Sequence, residues 1–219
     1  MTLELKRDHK RFLTSLFGEQ DVLFEREEIL IYGTDASKRF SLPSVVVRPS
    51  SVHQIQELLK WANKNKIPII PRARATNVVG ACVPINGGIV VSTLKLNKIL
   101  DIDDVDFVAE VEPGVVTGEF QKFLKERSLF YPPDPASANI STIGGNVSQN
   151  AGGLRAVKYG VTKDYVLGLD VCIPGGKMLC LGGRSHKDVV GLDLKSLMVG
   201  SEGTLGFFYQ NNFKAPALA

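Results

Sequence analysis

The stretch "STIGGNVSQNAGG" at residues 141–153 contains four glycines, two asparagines and only two sizeable apolar side chains, Ile143 and Val147. It lies in the middle of a chain that is otherwise rich in apolar residues. Because glycine has no Cβ, closely spaced glycines allow backbone N–H groups to turn toward an anion. The stretch therefore indicates a loop whose backbone approaches another group closely.

Three further segments also lack bulky side chains at key points: residues 72–80, 133–137 and 200–206. For any one segment alone, a tight turn is the simpler explanation. Four such segments in one chain favour a large, polar, phosphate-bearing ligand, and Asn146 and Asn150 add amide donors and acceptors. The chain has no G-x-G-x-x-G motif after a first strand and no GK[ST] motif, so a Rossmann NAD site and a P-loop are both poor fits.

The composition is that of an ordinary globular protein, with 219 residues, 44% apolar and 22% charged. The net charge of +3 is small and the basic residues are spread along the chain, which does not indicate a nucleic-acid partner. No apolar run approaches the roughly 20 residues of a membrane span, and the N-terminus lacks a signal-peptide core. We therefore predict a cytoplasmic protein without direct membrane insertion.

The three cysteines, Cys82, Cys172 and Cys180, are predicted to be buried, reduced thiols. Gly175 and Gly176 lie between the last two and suggest a two-residue hairpin turn. In that register residue 172 faces residue 179, so the two thiols would point to opposite faces of the sheet and form no disulfide. The chain has no Cys/His spacing typical of zinc, and we predict no metal site.

Residues 1–95 show the pattern of a first lobe with a small parallel βαβ sheet. Strands are predicted at "SVVVRP", "IPII" and "GGIVVS", and an amphipathic helix is predicted near residues 8–17. Ser51 begins the helix between the first two strands, with Gln54 as its capping-box partner. One face of this helix is apolar: Ile55, Leu58, Leu59 and Ala62. The segment after the second strand lies where open α/β sheets bind ligands.

Residues 96–219 form the predicted second lobe, with a mostly antiparallel sheet. "DFVAEVEPGV" alternates as a half-buried strand, and a short helix follows with Thr117 as its N-cap. The residues predicted to face inward are Phe107, Ala109 and Val111 on the strand and Phe120, Phe123 and Leu124 on the helix. "VLGLDVCIPGGKMLCLGG" is predicted to be a β-hairpin. The sequence thus predicts an α+β fold of two lobes that meet at loops rich in glycine.

Two stretches, "YPPDPASANISTIGGNVSQNAGGLRAVKYGVTKDYVLGLDV" and "VGSEGTLG", closely resemble the PCMH-type FAD-binding domain of the vanillyl-alcohol-oxidase-like flavoproteins. The resemblance runs from about Pro43 to Gly206 and is greatest to the glycolate oxidase flavoprotein subunit and to D-lactate and D-2-hydroxyglutarate dehydrogenases. It implies a fold of two α/β lobes with FAD extended in the cleft between them. It also implies an FAD-dependent oxidoreductase that acts on CH–OH donors.

The resemblance implies which residues lie beside FAD. They are Arg72, Ala73, Arg74, Ala75, Thr76 and Asn77 in the pyrophosphate loop, then Pro133, Asp134 and Ser137, then Thr142, Gly145, Asn146, Asn150, Gly152 and Gly153, and finally Tyr159, Gly160, Glu202, Gly203 and Leu205. Covalent members of the family attach the flavin through a histidine in these loops. Because His9, His53 and His186 match none of those places, we expect non-covalent FAD.

The pyrophosphate loop departs from the family pattern, which reads like R-G-x-G-T. Here alanines stand at both glycine positions, Ala73 and Ala75, and a small residue has become Arg74. An alanine forced to positive φ costs roughly 1–2 kcal/mol, which would weaken FAD binding. Arg74 either contacts a phosphate or fills the groove and excludes the ligand, and the sequence does not distinguish the two.

A second departure concerns the cap domain, which in the family supplies the substrate pocket. After "GTLG" this chain continues with "FFYQNNFKAPALA", and no catalytic base or substrate clamp can be assigned to it. We therefore expect an FAD-binding domain or subunit of a 2-hydroxy-acid oxidoreductase that takes substrate only with a cap domain or partner subunit, as a homo- or hetero-oligomer. The alternative is a non-catalytic relic or scaffold that binds FAD weakly or not at all.

Overall fold

Two β-sheets organise the chain in the computed structural model, which describes residues 3–217. The first sheet contains β1 (Val22–Leu23), β2 (Val45–Val47), β3 (Ile69–Arg72) and β4 (Ile89–Ser92). Its order is β1-β2-β4-β3, in which β4 is parallel to both β2 and β3 and β1 is antiparallel to β2. Because β3 and β4 are parallel neighbours, the residues that follow them lie together at one edge of the sheet.

Three helices accompany this sheet: α1 (Arg7–Phe17), α2 (Arg26–Ile29) and α3 (Val52–Asn65). The predicted helix near residues 8–17 and the predicted apolar face of α3 are confirmed, because Ile55, Leu58, Leu59 and Ala62 are all buried. The Ser51 hydroxyl accepts a hydrogen bond from the Gln54 N–H at 3.4 Å. The Gln54 side chain accepts from the Ser50 N–H at 2.8 Å, whereas a capping box would have it accept from the N–H of the N-cap, Ser51.

The second sheet is antiparallel throughout and includes the C-terminal strand at its centre. It contains β5 (Ile99–Asp103), β6 (Val108–Val111), β7 (Val166–Cys172), β8 (Met178–Gly182) and β9 (Phe207–Lys214). The order is β5-β6-β9-β7-β8, so β9 pairs with both β6 and β7. The predicted α+β class, with one sheet containing parallel strands and one antiparallel sheet, is confirmed.

The remaining helices are α4 (Thr117–Lys125), α5 (Ile143–Gln149), α6 (Ala156–Tyr159) and α7 (Leu194–Met198). The predicted N-cap of α4 was wrong: Val116 is the N-cap, and Thr117 is the first helical residue, with its hydroxyl donating to the Ser141 carbonyl at 3.1 Å. Phe107 was also predicted wrongly as an inward strand residue. It precedes β6, has φ +56° and is 37% exposed. Phe123 is only partly buried.

The hairpin between β7 and β8 has a longer turn than the sequence suggested. The Gly176 N–H donates to the Ile173 carbonyl at 3.0 Å and the Ile173 N–H donates to the Lys177 carbonyl at 3.0 Å, so residues 174–176 form a three-residue turn. Cys172 therefore pairs with Met178 instead of residue 179, which places both thiols on one face of the sheet. All three cysteines are free, but Cys180 is exposed, so the prediction of burial was wrong for that residue.

The two lobes share packed residues at their junction, and the predicted lobe boundary lies between the two sheets. Cys172 and Phe207 belong to the second sheet but are buried in the core that contains α1, α3 and the first sheet. A Cβ at Gly114 would overlap the Thr93 carbonyl oxygen and lie 2.6 Å from that of Leu96. Glycine at 114 thus allows the segment after β6 to reach the end of β4. Within residues 3–217, no helix is long and apolar enough to cross a membrane.

Candidate functional site

A cavity of about 280 Å³ lies where the two lobes meet. All four segments that lack bulky side chains contribute to its lining, together with Thr93 at the end of β4 and Pro113 after β6. Two of these segments form most of the lining. We call residues 71–82 the loop wall and residues 141–151 the helix wall. The cavity is at the carboxyl ends of β3 and β4, the edge at which open α/β sheets bind ligands.

Twelve of the twenty residues that the resemblance placed beside FAD line this cavity. They are Arg72, Ala73, Arg74, Ala75, Thr76, Asn77, Ser137, Thr142, Gly145, Asn146, Glu202 and Gly203. The other eight do not line it: Pro133, Asp134, Asn150, Gly152, Gly153, Tyr159, Gly160 and Leu205. The segments converge as the sequence suggested: all six expected residues at 72–77 line the cavity, and six of the other fourteen expected residues do so.

Several of these eight residues make contacts that explain their identity without a ligand. Asp134 pairs with Arg155, whose Nε lies 3.3 Å from its Oδ2 and whose N–H donates to its Oδ1 at 3.1 Å. A Cβ at Gly153 would overlap the Asp134 carbonyl group. A Cβ at Gly160 would in the same way overlap the Asp164 carboxylate. These glycines allow the segment after α5 to pack tightly beside the cavity.

The helix wall is mostly helical, which corrects the prediction of a loop at residues 141–153. Thr142 is the N-cap of α5, and its hydroxyl accepts from the Gly145 N–H at 3.3 Å. A Cβ at Gly144 would lie 2.5 Å from Pro113 Cβ, so that glycine is required by packing. A Cβ at Gly145 would meet only Thr142 Oγ1 at 3.5 Å and Ala73 Cβ at 3.9 Å. The two adjacent glycines therefore serve different purposes.

Two polar side chains behind the helix wall, those of Asn146 and Thr117, hydrogen-bond to each other. Asn146 is buried, and its amide nitrogen donates to the Thr117 hydroxyl at 2.8 Å. Tyr131 is fully buried beside Asn146 and Thr162, and burial raises the pKa of its phenol well above the usual value. The phenol therefore stays neutral at physiological pH, and this region acts as a support for the helix wall.

Two side chains hold the loop wall through hydrogen bonds. The Arg72 guanidinium donates to the carbonyls of Ile31, Tyr32 and Thr34 at 3.0, 3.3 and 2.7 Å. The Asn77 amide oxygen accepts from the N–H groups of Val79 and Ala81 at 3.2 and 3.3 Å. The charge of Arg72 is thus used within the protein and is not directed at a ligand.

Ala75 and Arg74 give the loop wall its unusual chemistry. Ala75 has φ +54°, in the left-handed region, whereas Ala73 is not among the described residues with positive φ. The expected strain of roughly 1–2 kcal/mol therefore applies to Ala75 alone. The Arg74 side chain is exposed and makes no ion pair or hydrogen bond with any residue between 3 and 217. It is a cation on the cavity lining without a protein partner, and it is not buried in the groove.

Cys82 and Thr93 are among the lining residues that were not predicted from the sequence. Cys82 lies 3.5 Å from a guanidinium nitrogen of Arg72 and 3.4 Å from the Asn77 amide. Burial raises the pKa of the Cys82 thiol, and the nearby Arg72 charge opposes this only in part, so the thiol stays protonated at neutral pH. Thr93 follows a strand that is parallel to β3, and that position is the signal by which it could have been found.

This chain is similar to a known protein family and to individual known proteins. A family model described as an FAD binding domain matches residues 43–182. The chain is 42% identical over 203 residues to the glycolate oxidase subunit GlcD of Bacillus subtilis (strain 168), covering 92% of this chain and 43% of GlcD. It is 40% identical over 196 residues to a D-2-hydroxyglutarate dehydrogenase of Stutzerimonas stutzeri (strain A1501), covering 89% of this chain and 42% of that protein.

The chain thus spans about two-fifths of the length of these curated relatives. The solved structure of an alkyldihydroxyacetonephosphate synthase has the same fold, with a TM-score of 0.86 at 24% identity over 99% of this chain and 41% of that one. The resemblance identified in the sequence is confirmed by the family match, which covers more than half of the chain. This chain belongs to the FAD binding domain family.

Proposed function

We propose that this chain is the FAD-binding domain or subunit of a flavin-dependent oxidoreductase that acts on a 2-hydroxy acid. The observation that carries the proposal is the convergence of four segments poor in side chains on one cavity between the lobes. The names of the relatives, glycolate oxidase subunit and D-2-hydroxyglutarate dehydrogenase, support this substrate class. A cytoplasmic location remains part of the proposal, and the free cysteines agree with it.

The residues that line the cavity fit the chemistry of FAD. The helix wall presents Gly145 with space around its Cα, which suits an extended ligand lying against backbone. Arg74 supplies a free guanidinium for a phosphate, and Thr93 supplies a buried hydroxyl. The cavity volume of about 280 Å³ is at the lower end of the roughly 300–1,000 Å³ of ligand pockets, so it would enclose part of a molecule as large as FAD.

Non-covalent binding is supported by the positions of the histidines, none of which lines the cavity. His9 packs edge-on against Trp61, and a ring nitrogen of His186 lies 2.7 Å from the Asp106 carbonyl oxygen. The remaining histidine, His53, is exposed on α3. We propose that FAD is held by hydrogen bonds and packing, without a histidyl link.

Bound FAD would supply the two-electron acceptor for oxidation of the substrate. This chain would bind the cofactor, keep it oriented and shield part of it from water. Proton removal from a substrate hydroxyl needs a base within hydrogen-bond reach. The titratable side chains that line the cavity within residues 3–217 are Arg72, Arg74, Cys82 and Glu202. We assign none of them as that base, and propose that a cap domain or a partner subunit provides it. A partner subunit would make the complete enzyme a homo- or hetero-oligomer.

The visible absorption spectrum of the purified protein tests the proposal. We expect a yellow protein that releases FAD on denaturation, and a melting temperature that rises when FAD is added to the apoprotein. At FAD concentrations about 100 times the Kd, binding would add about 2.7 kcal/mol to the free energy of unfolding. A colourless protein that stays colourless and shows no thermal shift with FAD would contradict the proposal.

A second candidate function is a non-catalytic scaffold of the same fold. It is favoured by the loop wall, where an alanine occupies a left-handed position and an arginine stands beside it. This alternative predicts stable folding without flavin and a weak or absent thermal shift. The same titration therefore separates the two candidates.

A further inference from the structure

Thr93 has the only buried side-chain hydroxyl of the cavity lining that lacks a partner within residues 3–217. The residue is 7% exposed, and its Oγ1 has no hydrogen-bond partner in the protein. The other buried hydroxyls of the lining are engaged: Thr142 Oγ1 caps α5, and Ser141 Oγ lies 3.2 Å from Thr117 Oγ1. Thr93 is therefore an exception among residues in the same environment.

The backbone of Thr93 is held in place by hydrogen bonds and by close packing. Its N–H donates to the Arg72 carbonyl at 2.9 Å, and its carbonyl accepts from the Leu96 N–H at 2.9 Å. The Thr93 carbonyl is also packed against Gly114, where any Cβ would overlap it. The residue is thus fixed at the junction of β3, β4 and the second lobe, on the lining of the cavity.

A buried hydroxyl without a hydrogen bond destabilises a protein, and most buried polar groups have a partner. Valine has nearly the same shape as threonine and would fill this position without that cost. The position is also at the carboxyl ends of parallel strands, where ligands bind in open α/β sheets. A hydroxyl in this place is explained if a ligand completes its hydrogen bonding.

We infer that the Thr93 hydroxyl is a binding group of the cavity and forms a hydrogen bond with a polar atom of FAD. This inference rests on the proposed function, since it takes FAD as the ligand. Thr93 was not among the residues expected beside the cofactor, and its role would be to bind and position FAD. Unlike Arg74, it offers a neutral hydrogen-bond donor and acceptor in a buried place.

Two variants separate the hydroxyl from the shape of the side chain. Thr93→Val keeps the shape and removes the hydroxyl, whereas Thr93→Ser keeps the hydroxyl and removes a methyl group. We expect Thr93→Val to raise the Kd for FAD by about five- to tenfold, and Thr93→Ser to stay within about threefold of wild type. The melting temperature of the Thr93→Val apoprotein should equal or exceed that of wild type, because a buried unpaired hydroxyl has been removed.

The measurements are FAD titration by calorimetry and thermal unfolding of each apoprotein. A weaker affinity for FAD together with an equal or higher apoprotein stability in Thr93→Val supports the inference. Removal of a purely structural hydroxyl would instead lower the stability and leave the Kd unchanged. Unchanged FAD affinity in Thr93→Val, or an equal loss in Thr93→Ser, would overturn it while leaving the proposed function intact. A wild-type protein that binds no FAD would overturn both.

Discussion

The helix wall and the loop wall bring backbone to the same cavity by different means. The helix wall is held by close packing, with Ile143 and Val147 buried and Gly144 against Pro113. The loop wall is held by hydrogen bonds from Arg72 and Asn77, and its apolar residues Val78 and Val79 are 71% and 51% exposed. A wall made by packing should tolerate little added volume, whereas a wall held by polar anchors should tolerate changes between its anchors.

The largest effect is expected at Gly144 in the helix wall. Gly144→Ala should lower the free energy of unfolding by about 1–3 kcal/mol, because the new Cβ would lie 2.5 Å from Pro113 Cβ and force the packing apart. Gly145→Ala is the matched control, since both glycines lie within α5. It should raise the free energy of unfolding by about 0.5–1 kcal/mol through helix propensity. Urea unfolding measures both.

The same two variants also test whether Gly144 serves packing and Gly145 serves ligand binding. Because the Cα of Gly145 lines the cavity, Gly145→Ala should weaken FAD binding even as it stabilises the fold. If Gly144→Ala were as stable as Gly145→Ala, close packing against Pro113 would not be what holds the helix wall.

The helix wall also shows where inference from sequence ends. The apolar face of α3 could be predicted because its period of 3.6 is a local signal. Helix α5 could not, because its glycines and asparagine have poor helix propensity and only the cap at Thr142 and the contact with Pro113 favour a helix there. Tertiary packing outweighed propensity at this element.

Two other features were missed, one at a local turn and one that depends on the strand order. The register of the β7–β8 hairpin was missed because the turn contains three residues, Pro174 as well as the two glycines. The convergence of the four segments was predicted from their shared lack of bulky side chains, and twelve of the twenty residues implied by the resemblance line the cavity. Thr93 needed the strand order, since only the placement of β4 beside β3 brings it to the cavity.

A smaller effect is expected at Ala75 in the loop wall. Ala75→Gly should raise the free energy of unfolding by about 0.5–1 kcal/mol, since the gain from relieving φ +54° exceeds the entropy cost of glycine. Ala73→Gly is the matched control two residues away and should lower it by about 0.4–1 kcal/mol, because only the entropy cost remains. Equal responses of the two variants to chemical denaturation would show that backbone strain does not distinguish them.

The smallest effect is expected at Arg74, where the loop wall is most exposed. Arg74→Gln should raise the Kd for FAD by about twofold, which corresponds to about 0.4 kcal/mol for an exposed ion pair. It should leave the Kd for riboflavin unchanged, because riboflavin has no phosphate. The difference in FAD affinity between Arg74→Gln and wild type should also shrink as the salt concentration rises, since exposed charges are screened. A tighter complex of FAD with Arg74→Gln would mean that the guanidinium obstructs the groove. An equal loss of affinity for riboflavin would mean that Arg74 contacts some other part of the cofactor. Either result would remove the charge difference between the two walls and leave packing as their main contrast.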